Sequence, residues 1–174
     1  MFGDSLTTNP SYASPLALWL NAHAYQELAT GGWTTTQLLA GIQGSSIPAN
    51  VDTSVVVIGI NDVIGGVAEA TITSNLTAIE AALPDPHFVT IPPFGNASSW
   101  DLTAEALRDT INTWMLANLD NVTDIEGIVG DEDPTQPVLI SAYDGGDGLH
   151  WNHDCDRRVA EALFFDGYGG QVLT

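Results

Sequence analysis

An α/β layered fold with a mainly parallel sheet is predicted for this chain on three observations. Segments with apolar residues at helical spacing alternate along the chain with short apolar runs. The most regular of these runs, Ser54-Val55-Val56-Val57-Ile58-Gly59-Ile60, is β-branched and does not alternate with polar residues. A strand buried on both faces between helix layers has that character. Glycine, serine, asparagine and aspartate gather just beyond the runs, which puts turns at the carboxyl ends of the strands. With 174 residues, the chain reads as one domain, 1–174, long enough to bury a core several layers deep.

Pro15 to Ala24 carries apolar residues at helical spacing, with Ser14 placed as a cap and Pro15 suited to the first turn. Ala24 to Leu28 reads as a short strand leading into Thr30-Gly31-Gly32-Trp33, and Thr34 to Ala40 starts a second helix. The strand Ser54 to Ile60 ends at Asn61-Asp62. Ala68 to Leu83 presents Ile72, Leu76, Ile79 and Leu83 on one helical face and stops before Pro84. His87 to Ile91 is the next strand, and Pro92-Pro93-Phe94-Gly95-Asn96 cannot extend it because proline lacks the ladder donor. Ala104 to Leu119 is an amphipathic helix bearing Leu107, Ile111, Trp114, Met115 and Leu119. Val122 to Val129 reads as a last short strand, Asp131-Glu132-Asp133-Pro134 and Gly145-Gly146 as an exposed region, and Asp154 to Phe165 as a terminal helix.

Charge narrows the partners. Twenty-two acidic residues face three arginines and no lysine, for a formal net charge of -19. Such a surface disfavours nucleic acid and anionic membranes. It is compatible with a saline, extracellular or virion-associated setting, because salt screens self-repulsion. No stretch is apolar for the roughly 20 residues that a membrane helix needs, so membrane insertion is not expected. The start of the chain lacks a secretory signal. Cys155 is the single cysteine and reads as a structural thiol. Asn75-Leu76-Thr77, Asn96-Ala97-Ser98 and Asn121-Val122-Thr123 fit the glycosylation sequon, a weak three-residue pattern.

The chemistry-bearing residues lie at opposite ends of the sequence. Gly3-Asp4-Ser5 supplies a serine hydroxyl, and Asp147-Gly148-Leu149-His150 supplies an imidazole with a carboxylate three residues before it. A serine needs a base to take its proton, and the base needs a carboxylate to fix its tautomer. Taken singly, each motif has a plainer reading: Asp4 or Ser5 as a helix cap, Gly31-Gly32 as a loop, Asn61 as a turn residue, and Asp147 with His150 as an ion pair or cap. His150, His153, Asp154 and Asp156 do not form a complete metal-ligand set, and Asp144 to Gly148 lacks the regular acidic positions of a calcium loop. No metal is expected. The glycine pairs do not form a phosphate-cradling motif, so no cofactor is expected either.

Four blocks in order, Gly3-Asp4-Ser5-Leu6-Thr7, Gly32-Trp33-Thr34-Thr35, Gly59-Ile60-Asn61-Asp62 and Asp147-Gly148-Leu149-His150-Trp151-Asn152, resemble those of the SGNH hydrolases, or GDSL esterase and lipase family. The resemblance spans nearly the whole chain. It implies a three-layer α/β/α sandwich with a flavodoxin-like sheet in the order 2-1-3-4-5, and a serine esterase acting through an acyl-enzyme. It further implies that Ser5 attacks the acyl carbonyl, His150 acts as base and then acid, and Asp147 orients His150. The oxyanion hole would comprise the backbone N–H groups of Ser5 and Gly32 and the side-chain amide of Asn61. The expected substrate is a small-molecule or carbohydrate ester carrying a short acyl group, with acetylated sugars one option. Trp33 and Trp151 stand where many relatives have other residues, and are expected either to wall the substrate site or to pack in the core.

Family members place a hydrophobic strand before the nucleophile block, whereas only Met1-Phe2 precede Gly3 here. The first strand is therefore expected to be truncated or missing. Two other readings follow: a non-catalytic carbohydrate-binding or virion-associated module that keeps the fold, and a metal-dependent hydrolase.

Overall fold

In the computed structural model, which describes residues 1–8, 12–22, 25–131 and 136–168, five parallel strands form the main sheet. They are β1 (Phe2–Gly3), β2 (Leu28–Ala29), β3 (Ser54–Val57), β4 (Pro86–Val89) and β5 (Val122–Thr123), in the order β2-β1-β3-β4-β5. All four residues of β3 are buried, as its unbroken apolar character requires. Phe2 lies opposite both Leu28 and Val56, so β1 is an inner strand.

The first strand is thus present but only two residues long, which fits the expectation of a truncated strand and not that of a missing one. One more residue prolongs its ladder: the Met1 ammonium donates to Gln26 O at 2.7 Å, and Leu28 N donates to Met1 O at 2.9 Å. Burial lowers that ammonium to about 6, against a raising influence from Glu27.

Helices flank the sheet: α1 (Ser5–Thr8), α2 (Ala13–Trp19), α3 (Thr35–Gly44), α4 (Ile60–Ile64), α5 (Glu69–Ala82), α6 (Leu102–Asn118), α7 (Glu126–Val129) and α8 (His153–Ala162), the last running into a π-helical turn at Leu163–Gly167. Helix α3 packs on α5 and α5 on α6, while α8 packs on α2 and α7. Their inward faces carry the apolar residues of the sequence pattern: Leu38 and Ile42, Ile72, Leu76 and Ile79, Ile111 and Met115, and Val159 and Ala160 are all buried. Among the described residues, no helix is long and apolar enough to cross a membrane.

Several boundaries differ from the sequence pattern for local reasons. The strand read as Ser54 to Ile60 ends at Val57, because Gly59 turns the chain at φ +120° and starts α4. Asn61 and Asp62 therefore sit on a helix. The strand read as Val122 to Val129 stops at Thr123, and Asp124 Oδ1 accepts from Glu126 N at 3.1 Å to open α7. Ser14 lies inside α2 and does not cap it; its Oγ bonds the Tyr25 hydroxyl at 2.9 Å. Asn21, at φ 57°, follows the end of α2, so the helix does not run on through the Pro15 to Ala24 pattern. The strand read as Ala24 to Leu28 is Leu28–Ala29. A small antiparallel pair, β6 (Gly130–Asp131) with β7 (Val138–Leu139), was not legible in the sequence. Ala24 and Glu132-Asp133-Pro134 lie outside the described residues.

A cavity of about 590 Å³ opens at the amino-terminal end of the sheet, lined by residues including Met1, Gln26, Leu28, Asp52 and Val55. The four sequence blocks converge at the opposite, carboxyl-terminal end.

Candidate active site

Gly3 closes β1, and a side chain there would run into Val57 O and the Thr7 side chain. Only glycine lets this turn lie so close to β3. Asp4 then caps the helical turn α1, its Oδ1 accepting from Leu6 N at 3.0 Å. The capping role belongs to Asp4, which frees the neighbouring hydroxyl. Ser5 is partly exposed, and its Oγ lies 2.9 Å from His150 Nε2.

The loop that carries His150 is built on Asp144. Asp144 Oδ1 accepts from Gly146 N at 2.7 Å and Gly148 N at 3.0 Å, and Gly145 N donates to His150 O at 2.7 Å. Gly148, at φ +73°, passes so close to the backbone of Asn96 and Ala97 that a Cβ would collide with both. The loop after β4 thereby acts as a wall that sets the position of Asp147 and His150.

Asp147 Oδ1 accepts from Leu149 N at 3.0 Å and His150 N at 2.8 Å, and its Oδ2 pairs with His150 Nδ1 at 2.7 Å. Slight burial pushes the Asp147 carboxyl up, but these hydrogen bonds outweigh it and hold it at about 2. A carboxylate facing Nδ1 keeps the imidazole proton there and leaves Nε2 as the acceptor for the serine hydroxyl. The two side chains remain 43% and 55% exposed, so the pair stands at an open rim.

The glycine block and the asparagine block meet the serine from the sides. Trp33 N donates to Thr30 O at 3.1 Å to close the Gly31-Gly32 turn, and a Cβ on Gly31 would sit 3.7 Å from Ser5 Cβ. Gly32 takes φ +83°, and a Cβ there would meet nothing within 4 Å, so the turn leaves open space at this point. Asn61 Nδ2 donates to Trp33 O at 3.0 Å and Asp4 Oδ2 at 3.3 Å. Ser5, Gly32, Asn61, Asp147 and His150 are thus brought together beyond the carboxyl ends of β1, β2 and β3, where a sheet of this order opens its crevice.

Two buried carboxylates support the site; the sequence pattern read Asp4 only as a cap and gave Asp62 no role. Burial raises Asp4 to about 7, opposed by the Leu6 N–H and His150 and reinforced by Asp62. Burial likewise raises Asp62, against hydrogen bonds from Thr35. The signal was the acidic residue adjoining Ser5 in one block and Asn61 in the other. Of the two tryptophans, Trp151 is only 5% exposed and its indole N–H donates to Leu6 O at 3.2 Å, so it packs in the core and does not wall the crevice. Trp33 is half-buried, its ring against Gly41 of α3. Among the described residues, no three histidine, cysteine or acidic side chains group to hold a metal.

The sequence matches the family model described as the GDSL-like lipase/acylhydrolase family over residues 1–158. No curated protein matches the chain. Solved structures with the same fold include a GDSL-like lipase from Bacteroides thetaiotaomicron, with a TM-score of 0.74 at 14% identity over 96% of this chain and 85% of that one. A member of the lipolytic G-D-S-L family from Veillonella parvula has a TM-score of 0.69 at 14% identity over 94% and 93%. An acetyl xylan esterase has a TM-score of 0.65 at 15% identity over 95% and 96%.

Proposed function

Because the chain belongs to the GDSL-like lipase/acylhydrolase family, whose members are ester hydrolases, we propose that it cleaves esters through an acyl-enzyme formed on Ser5. One observation carries this reading: an unbroken series of contacts from Ser5 Oγ to His150 Nε2 at 2.9 Å, and from His150 Nδ1 to Asp147 Oδ2 at 2.7 Å. Ser5 Oγ bonds to the acyl carbon while His150 Nε2 takes its proton. His150 then returns that proton to the departing alkoxide as the C–O bond breaks. Water attacks the acyl-Ser5 ester with the same imidazole as base, releasing the acid and restoring the hydroxyl.

The negative charge that develops on the carbonyl oxygen calls for donors fixed in advance. The N–H groups of Ser5 and Gly32 and the Asn61 amide are assigned to it. Asn61 is tied by one N–H to Trp33 O at 3.0 Å, and its longer contact to Asp4 at 3.3 Å is the one a substrate oxygen would replace. A short acyl group, such as acetate on a carbohydrate, is the proposed substrate. The exposed rim at His150 and Asp147 leaves room for a bulky alcohol portion. The acetyl xylan esterase of the same fold supports this choice. Half-buried Trp33, next to Gly32, is the proposed aromatic contact.

The reading that the chain is only a binding module drew on a missing first strand, and β1 removes that ground. The test is hydrolysis of p-nitrophenyl acetate by the purified chain and by Ser5→Ala, with equal folding confirmed by circular dichroism. We expect a loss on the order of 10³-fold or more in kcat. Equal rates from two folded proteins would sink the esterase reading.

A further inference from the structure

The two donors assigned to the oxyanion from outside the nucleophile block come from different elements: Gly32 precedes α3, and Asn61 lies in α4. Something must fix their separation, since a misplacement of about 1 Å at such a site costs on the order of 10²-fold. Asn61 itself donates to Trp33 O at 3.0 Å, and the backbone that carries it is held to the start of α3 by Asp62, the next residue. Its Oδ2 accepts from Thr35 N at 2.8 Å, and its Oδ1 accepts from Thr35 Oγ1 at 2.7 Å. Thr35 is the first residue of α3, three positions after Gly32. Asp62 and Thr35 are both fully buried, so water does not compete for these bonds. Asn75 of α5 adds a third anchor, its Nδ2 donating to Thr35 Oγ1 at 3.0 Å and Thr36 Oγ1 at 2.8 Å.

Thr34 already caps α3 through its capping box with Gln37. A further carboxylate is therefore not required to start that helix. What Asp62 adds to the Asn61–Trp33 contact is a two-bond tether between the start of α3, just after the Gly31-Gly32 turn, and the start of α4. We propose that Asp62 is a positioning residue that holds the Gly32 N–H and the Asn61 amide at the separation a tetrahedral intermediate requires. This inference rests on the Ser5 esterase reading. Donors that act on developing charge govern the chemical steps and leave ground-state binding alone, so the effect belongs in kcat and not in KM.

The test is saturation kinetics on p-nitrophenyl acetate for the native protein, Ser5→Ala, Asp62→Ala, Asp62→Asn and Thr35→Val, with folding checked by circular dichroism. Asp62→Ala should lower kcat by about 10²-fold with KM changed by less than about threefold. Asp62→Asn retains an acceptor for Thr35 N and a partner for Thr35 Oγ1, and should recover kcat to within about fivefold of native. Thr35→Val removes one of the two tether bonds, together with the Asn75 bond to the same hydroxyl, and should lower kcat by roughly three- to tenfold. Unchanged kcat in folded Asp62→Ala, a change confined to KM, or an Asp62→Asn as damaged as Asp62→Ala would each overturn the proposal. Should Asp62→Ala not fold, Thr35→Val decides: a selective fall in kcat supports the tether and native kcat refutes it. Ser5-dependent turnover with these losses absent defeats only the tether, whereas turnover that is independent of Ser5 defeats the esterase reading and this inference with it.

Discussion

Asp147 carries more of the site than its exposed position suggests. It accepts three hydrogen bonds, two from its own loop and one from the imidazole. These bonds hold it ionised down to about pH 2, so it does not titrate in the range where the enzyme would be assayed. Loss of activity on the acid side should therefore not arise from Asp147. Asp147→Asn removes the charge that fixes the tautomer and is expected to lower kcat by roughly 10²–10⁴-fold. Its stability at pH 7 should change little, because both partners are open to solvent. The check is a pH–rate profile beside a urea titration; a kcat within about twofold of native would remove Asp147 from the proposed triad.

At the scale of elements, the site depends on how closely one backbone approaches another. Gly148 illustrates this: its positive φ and the Asn96–Ala97 backbone beneath it leave no room for a methyl group. Gly148→Ala should push the Asp147–His150 loop off the loop after β4 and lower kcat at least tenfold, with about 1–3 kcal/mol lost in urea unfolding. An active, equally stable variant would show that the loop adjusts. Such approaches explain what was legible in the sequence. The long helices were, because their apolar spacing reports directly on burial, and so was the order of the four blocks. The ends of β3 and β5 were not, because Ile58, Ile60, Ile125 and Val129 stay buried after the chain has left the strand, and hydropathy cannot separate a buried strand from a buried turn. The Asp62 tether was invisible for a different reason: its partner Thr35 lies 27 residues away.

For the molecule as a whole, acidity reaches into the interior. Arg108 is buried between Glu105 and Glu126 and also donates to Ile91 O, while Arg157 and Arg158 both pair with Glu161. These three cations leave a formal net charge of -19. Inside, Asp156 is fully buried, and among the described residues its carboxylate has no hydrogen-bond partner of good geometry. Burial raises it to about 7, and the nearby Tyr12 N–H offsets only part of that. Asp4 is raised as far. A carboxyl group held above its ordinary value of 3.8 binds a proton in the folded state that the unfolded chain has lost. Its contribution is thus fully present below about pH 4, declines as pH rises toward 7, and is flat beyond. Asp156→Asn should therefore stabilise the protein at pH 8 by on the order of 1–2 kcal/mol and leave it nearly unchanged at pH 4, as read from denaturant midpoints. Equal effects at both pH values would mean that the carboxyl does not titrate with folding.

The pairing of Ser5 with His150, 145 residues apart, has a consequence for how the molecule comes into being. Most of the sheet and the α3, α5 and α6 helices can condense from nearer neighbours, but the packing of α8 on α2 and the proton path close only when the two ends of the chain meet. Loop closure of that length comes late and slowly. Such a chain acquires its shape before its chemistry, so nascent or partly unfolded copies carry the serine without the means to use it.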